Sequence, residues 1–237
     1  NPLLEALKSR KRRILKIYLS NRKKGKEIEK IISQAKIQGI KCKFVDLKTL
    51  RQICPSNHHQ GVAGIISNKE LISVEEMINI SLEKEPNPAL VLLDHIEDPG
   101  NLGAIIRSAE VLGIKGVIIP KNRAADLTPT VLKTSAGALE YMPVSRVSNI
   151  LNTIRLLKEK GFWIIGAKEG SSSCCSVCDF KRPVALVLGG EGKGFRPLIE
   201  KKCDEIVSIP QSGNIDSLNV SCAASILFYE ILKQKTD

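Results

Sequence analysis

Five polar side chains, Asn101, Arg107, Glu191, Ser217 and Asn219, lie in or beside three loops rich in glycine and small polar residues, each of which follows a hydrophobic run. Loops of that composition belong where strands end and helices begin, because backbone amides there can approach a bound molecule closely. The stretch from Val184 to Ser225, VALVLGGEGKGFRPLIEKKCDEIVSIPQSGNIDSLNVSCAAS, contains two of the three, so a cofactor is expected to sit against it.

Each loop excludes some chemistry. In GGEGKG at 189–194, Lys193 is followed by Gly194 and Phe195 where a phosphate-binding Walker loop needs Ser or Thr, and the dinucleotide pattern G-x-G-x-x-G does not fit the register. Neither ATP nor NAD is the natural ligand. What remains is either a flexible strand-end loop presenting Glu191 or a tight turn with an exposed Glu. In DHIEDPGNLGAIIRSA at 94–109, Asp98-Pro99-Gly100 is turn chemistry that opens a helix. Asn101 near the helix start and Arg107 six residues on are expected to project toward the same rim. Arg107 among Ala104, Ile105, Ile106 and Ala109 needs a partner, either a phosphate or an internal carboxylate. In IPQSGNIDSLNVS at 209–221, helix capping accounts for Ser217 or Asn219 but not for both beside Gln211, Gly213 and Asn214.

Metal chemistry is not supported. His58 and His59 are adjacent, but no further ligands lie at compatible spacing, and a polar turn touching RNA suits them better. Cys174, Cys175 and Cys178 make a CxxC-like cluster in a Ser-rich segment without a second pair, which reads as a surface loop.

The elements that must carry these loops follow from periodicity. Small α/β patterning runs to Val62–Ile66, a short acidic helix spans Ser73–Glu85, and Pro86-Asn87-Pro88 breaks the chain. This gives a small domain at 1–75, a linker at 76–88 and a larger domain at 89–237. In the last, strands at Ala89–Leu93, Gly116–Ile119, Tyr141–Val144, Phe162–Ile165, Val184–Leu188 and Glu205–Ile209 alternate with helices, the last helix covering Ser217–Lys233. That alternation implies a parallel sheet covered on both faces.

The 237 residues suffice for two modest domains. The net charge of +11 is uneven: residues 1–87 carry 18 Lys/Arg against 9 Asp/Glu, and the remainder 18 against 16. A basic half suggests a polyanion grip or, more blandly, a solubilising surface. Seven cysteines in no regular framework suggest reduced thiols, and neither a membrane-length apolar run nor a signal peptide is legible, so a cytoplasmic location is expected, an organelle matrix being the other option. The chain starts at Asn1 without Met, which implies missing leading residues.

Taken together, NLGAIIRSAE at 101–110, LGGEGKGFR at 188–196 and IPQSGNIDSLNVSCAAS at 209–225 resemble the ordered motifs of the SpoU (TrmH-like) family of RNA ribose 2′-O-methyltransferases in the SPOUT superfamily. NPLLEAL at the start and HHQGVAG at 58–64 resemble, over a shorter span, the small RNA-binding domain of the 23S rRNA guanosine-2′-O-methyltransferases in that family. The resemblance implies an α/β fold: a C-terminal parallel-sheet SPOUT domain with a deep trefoil knot, and a small N-terminal α/β RNA-binding domain of ribosomal-protein type. It implies S-adenosyl-L-methionine on Gly189, Gly190, Ile209 and Leu218, and a catalytic set of Arg107, Asn101, Glu191, Ser217 and Asn219. It also implies a homodimer acting on RNA, with ribosomal RNA foremost and transfer RNA second, and with no DNA, membrane or metal partner. A non-catalytic RNA-binding protein is the rival of another class. One departure is Gly100, where some family members carry His.

Overall fold

The computed structural model describes residues 1–23, 25–54, 59–190, 194–215 and 217–236. The chain divides into two compact units, Asn1–Glu70 and Leu71–Asp237.

The first unit runs α1 (Pro2–Ser9), β1 (Ile14–Ser20), α2 (Lys26–Ile37), β2 (Cys42–Val45), α3 (Leu47–Ile53) and β3 (Val62–Ile66). Asn1 caps α1 by accepting from the Leu3 amide at 3.2 Å, and Asp46 caps α3 through the Thr49 amide at 2.6 Å. The sheet order is β2-β1-β3, with β2 parallel and β3 antiparallel to β1. Ile17 and Leu19 of β1 join Leu4, Leu7, Ile28 and Ile31 of the helices in one small core.

The second unit runs α4 (Val74–Lys84), β4 (Ala89–Asp94), α5 (Pro99–Val111), β5 (Gly116–Pro120), α6 (Pro129–Thr134), β6 (Val144–Val147) and α7 (Ile150–Glu159). It continues with β7 (Trp163–Ala167), β8 (Val184–Gly189), α8 (Pro197–Glu200), β9 (Glu205–Val207) and α9 (Val220–Thr236). The sheet order is β6-β5-β4-β8-β7-β9, and every pairing is parallel. Every residue of β4 is buried. Val91 and Leu93 enter the core under α5 and α9, and Leu90 and Leu92 the core under α4 and α7. A strand buried on both faces must be apolar at each position, which is why ALVLL lacks the alternation of a half-exposed strand.

Three expectations are corrected. The segment 76–88 is not a linker: Ser73 caps α4, whose Met77 and Ile78 pack with Leu90, Leu92 and Ile118, so the boundary lies at Glu70/Leu71. With that boundary residues 1–70 carry 17 Lys/Arg against 5 Asp/Glu, a net of +12, and residues 71–237 carry 19 against 20, a net of −1. The third strand of this unit starts at Val144 rather than Tyr141, because a 3₁₀ turn at Ala138–Glu140 captures the amides of Tyr141 and Met142 on the Ala138 carbonyl. The last helix starts at Val220 rather than Ser217. Asn219 is its cap: its carbonyl accepts from the Ala223 amide at 3.0 Å and its side-chain oxygen from the Ser221 amide at 2.9 Å.

Candidate active site

In a parallel sheet all strands deliver their loops to one rim, and here the loops after β4, β7, β8 and β9 converge with the start of α9. Two clefts open at that rim, of about 590 Å³ and about 810 Å³, and Gly190, Gly194 and Val220 line both.

The smaller cleft is an apolar slot with few polar groups. Leu188, Val207, Ile209, Leu218 and Leu227 supply its walls, and Gly189, Gly190, Gln211 and Ser217 also line it. Of its two charged residues, Lys168 is paired with Glu200 at 2.9 Å, which leaves Glu169 as the carboxylate available to a ligand. The glycines are there because two backbone segments cross. A Cβ on Gly189 would lie 2.0 Å from the Gly194 carbonyl carbon, and one on Gly190 would lie 2.2 Å from the His95 carbonyl oxygen. The four residues expected at the cofactor, Gly189, Gly190, Ile209 and Leu218, thus line one slot, and Ser217 lines it with them.

The larger cleft is lined by His95, Asp98, Asn101, Arg123, Phe195 and Arg196 among others. Asp98 caps α5 by accepting the Asn101 amide at 2.7 Å, which fixes Asn101 in the first turn. The Asn219 amide nitrogen donates to the Asn101 side-chain oxygen at 3.0 Å, tying the start of α9 to the start of α5. Farther along, the Ser108 and Ser225 hydroxyls join the same two helices at 2.7 Å.

Two members of the expected catalytic set are not placed with the rest. Glu191 lies outside the described residues. Arg107 is exposed and lines neither cleft, contrary to the expected common rim. Six residues of α-helix turn a side chain by about 240° and advance it by about 9 Å, so Arg107 leaves α5 on another side from Asn101. Among the described residues no carboxylate pairs with Arg107.

Sequence reasoning missed the floor of the larger cleft. The Asp94 side chain, fully buried at the end of β4, accepts from the Arg196 backbone amide at 3.2 Å, Nε at 3.2 Å and Nη2 at 3.1 Å, and His95 Nδ1 lies 2.9 Å from it. The signal was legible: a carboxylate closing an all-apolar strand must find a cation. Also missed was the packing of the cysteine loop. Cys175 and Cys178 are buried, the Cys175 amide donates to the Ser208 carbonyl at 2.9 Å, and the Cys178 thiol reaches Glu205 at 3.4 Å. Burial, then Glu205, pushes the Cys178 thiol up to about 12, whereas hydrogen bonding by Ser176 lowers the partly exposed Cys174 from the ordinary thiol value. Among the described residues no group of His, Cys, Asp and Glu is arranged to hold a metal, and no helix is long and apolar enough to cross a membrane.

The two units and the paired clefts define the class: an α/β enzyme with a strand-end ligand slot, joined to a separate basic domain. The SpoU rRNA Methylase family matches residues 88–229, and the RNA 2′-O ribose methyltransferase substrate-binding family matches residues 1–71. The YacO protein of Bacillus subtilis (strain 168), assigned to the TrmH family of tRNA/rRNA methyltransferases, is 37% identical over 235 residues, covering 99% of this chain and 94% of its own. The SpoU methyltransferase AviRb from Streptomyces viridochromogenes, solved in complex with AdoMet, superposes with a TM-score of 0.79 at 25% identity, covering 99% of this chain and 88% of that one. The A. aeolicus TrmH/SpoU tRNA modifying enzyme gives 0.59 at 25% identity, over 69% of this chain and 82% of that one. The chain belongs to the SpoU family of RNA ribose 2′-O-methyltransferases.

Proposed function

We propose that this chain transfers a methyl group from S-adenosylmethionine to a ribose 2′-hydroxyl of ribosomal or transfer RNA. The observation that carries the reading is the shared wall: an apolar glycine-floored slot meets a polar cleft at Gly190, Gly194 and Val220. The slot fits the donor, since Gly189 and Gly190 let backbone segments cross closely in its wall, its other walls are largely apolar, and Glu169 is available to the donor's hydroxyl or cationic groups. Bound there, the donor supplies a methyl carbon on a sulfonium. The residues Asn101, Ser217 and Asn219 hold the nucleoside and donor in line across the wall, Glu191 belongs to the same catalytic set, and positioning supplies much of the rate.

Arg107 has a different task. A guanidinium stays protonated, so it is no general base; it grips a substrate phosphate, which takes the hydroxyl proton, and steadies the developing oxyanion. Because Arg107 does not reach the clefts of its own protomer, it acts in a homodimer, at the site of the second copy. Exposed Val111 on α5, and exposed Cys222, Ile226 and Tyr229 at helical spacing on α9, supply the apolar area for that pairing. The chain ends of β7, β8 and β9 all wrap the slot while α9 returns to pack on α5, which suits the deep trefoil knot implied by the family.

The choice of RNA has two arms. The expected guanosine of large-subunit rRNA is one; the YacO family name and the A. aeolicus enzyme favour transfer RNA at least equally. A tritiated-methyl assay on both RNAs, with mapping of the labelled ribose, decides between them. Transfer to neither returns the chain to the non-catalytic RNA-binding class. Mixing Arg107→Ala with Gly190→Ala protein tests the dimer: random exchange restores roughly a quarter of the wild-type rate if Arg107 acts across the interface, and none if it acts within its own chain.

A further inference from the structure

We propose that Asp94, through Arg196, is a positioning residue that sets the wall between the two clefts. The inference rests on the methyl-transfer reading above. The wall is anchored on Asp94 from both sides. Before it, the Gly190 amide donates to the Asp94 backbone carbonyl at 2.9 Å, continuing the register in which Asp94 lies beside Gly189. Behind it, Arg196 returns three donors to the buried Asp94 carboxylate, two of them from the guanidinium fork. The wall closes on itself through the Gly194 amide, which donates to the Gly190 carbonyl at 3.1 Å. His95, whose own carbonyl lies against Gly190, adds its Nδ1 at 2.9 Å from Asp94.

Stability alone does not explain this arrangement. Asp94 is fully buried but the Arg196 side chain is half exposed, so the pair contributes little over an apolar contact of similar volume, and β4 is otherwise apolar throughout. What the fork and the backbone bond do supply is direction: they fix where Gly190 and Gly194 stand relative to the strand end, and so how far a ribose in the larger cleft is held from the donor in the slot. An in-line transfer is sensitive to displacements of about 1 Å, so the wall is where loss of this network is felt. Arg196, His95 and Phe195 face the larger cleft and not the slot, so the effect falls on transfer and RNA rather than on donor affinity.

The test uses the full chain and an RNA that the wild type methylates. Arg196→Met and Asp94→Asn are expected to lower kcat on the order of 10- to 100-fold, with donor Kd by calorimetry within about threefold. Arg196→Lys keeps the charge without the fork and falls between. The double variant is no worse than the weaker single one, because the two residues act as one unit. If Asp94→Asn fails to fold, Arg196, whose side chain is 50% exposed, carries the test. Arg196→Met with kcat within about twofold of wild type overturns the proposal, as does a loss that merely follows the unfolded fraction at the assay temperature. A wild type that methylates no RNA defeats this proposal together with the function it rests on; an active wild type with an indifferent Arg196→Met defeats this one alone.

Discussion

The two units solve different physical problems with different materials. Residues 1–70 put a net +12 on a three-stranded sheet and its helices, with one small core. Residues 71–237 set a six-stranded parallel sheet between two cores and carry a net of −1. Holding a polyanion takes surface charge and little interior; aligning two reactants takes a rigid rim where several strand ends meet. The acidic helix α4 sharpens the division, because Glu75, Glu76, Glu83 and Glu85 fall in the catalytic unit and its flank rather than in the basic one. A near-neutral catalytic unit has little electrostatic grip on RNA, so affinity and chemistry are separable by mutation.

The largest effect expected is at Arg107: Arg107→Ala lowers turnover on the order of 10³-fold or more, with calorimetric donor affinity within about twofold. A variant with near-normal rate removes Arg107 from the chemistry. Next is Gly189→Ala, whose new Cβ would meet the Gly194 backbone at 2.0 Å. Donor binding is lost, at a stability cost of about 1–3 kcal/mol in chemical denaturation. On the other side of the comparison, replacing exposed Arg13, Lys41 and Lys43 by Gln weakens RNA binding and reduces the slope of log K against log salt by about 0.7–0.9 per charge that contacts phosphate, while donor Kd stays unchanged. An unchanged slope moves the RNA surface off the basic unit. A smaller effect concerns thiols: at pH 8, mass-spectrometric mapping of alkylation finds Cys174 modified well before Cys178 or Cys203, both pushed up to about 12 by burial first of all.

The smallest concerns the end of α9, where Lys235 pairs with Glu85 at 3.2 Å and also donates to the Asn87 carbonyl, with Lys115 on the same carboxylate at 2.7 Å. Burial lowers Lys235 from the ordinary 10.5, so between its folded and unfolded values the unfolded chain binds more protons and stability rises with pH. Glu85→Gln removes the carboxylate that opposes this shift, so the melting temperature gains more between neutral and alkaline pH than in the wild type.

Much of the fold was legible because a parallel sheet writes itself as apolar runs between helices. Among the described residues the strands lie near where periodicity puts them, β6 excepted, and Gly189, Gly190, Ile209 and Leu218, which the family resemblance groups at the cofactor, line one slot. What failed did so for local reasons. Pro86-Asn87-Pro88 breaks the backbone as expected, but a break in the chain is not a break in the core, and Met77 is packed so closely that a Cβ on Gly116 would lie 2.3 Å from its sulfur. Arg107 misled because nearness in sequence was read as nearness on one side of a helix. The Asp94–Arg196 pair escaped notice because its partners are 102 residues apart. Nothing local marks such a pairing except the buried charge that demands it.

The hydrogen bond between Asn101 and Asn219 spans 118 residues. During synthesis the N-terminal side of the site is complete long before its closing strand and helix leave the ribosome. Until α9 docks, α5 lacks the helix that covers it and the donor slot lacks a wall. The slot therefore gains this wall only once α9 is made, after the first unit has been free to fold. Chains that stop short of α9 would hold RNA without being able to modify it, and would compete with finished enzyme for the same substrate.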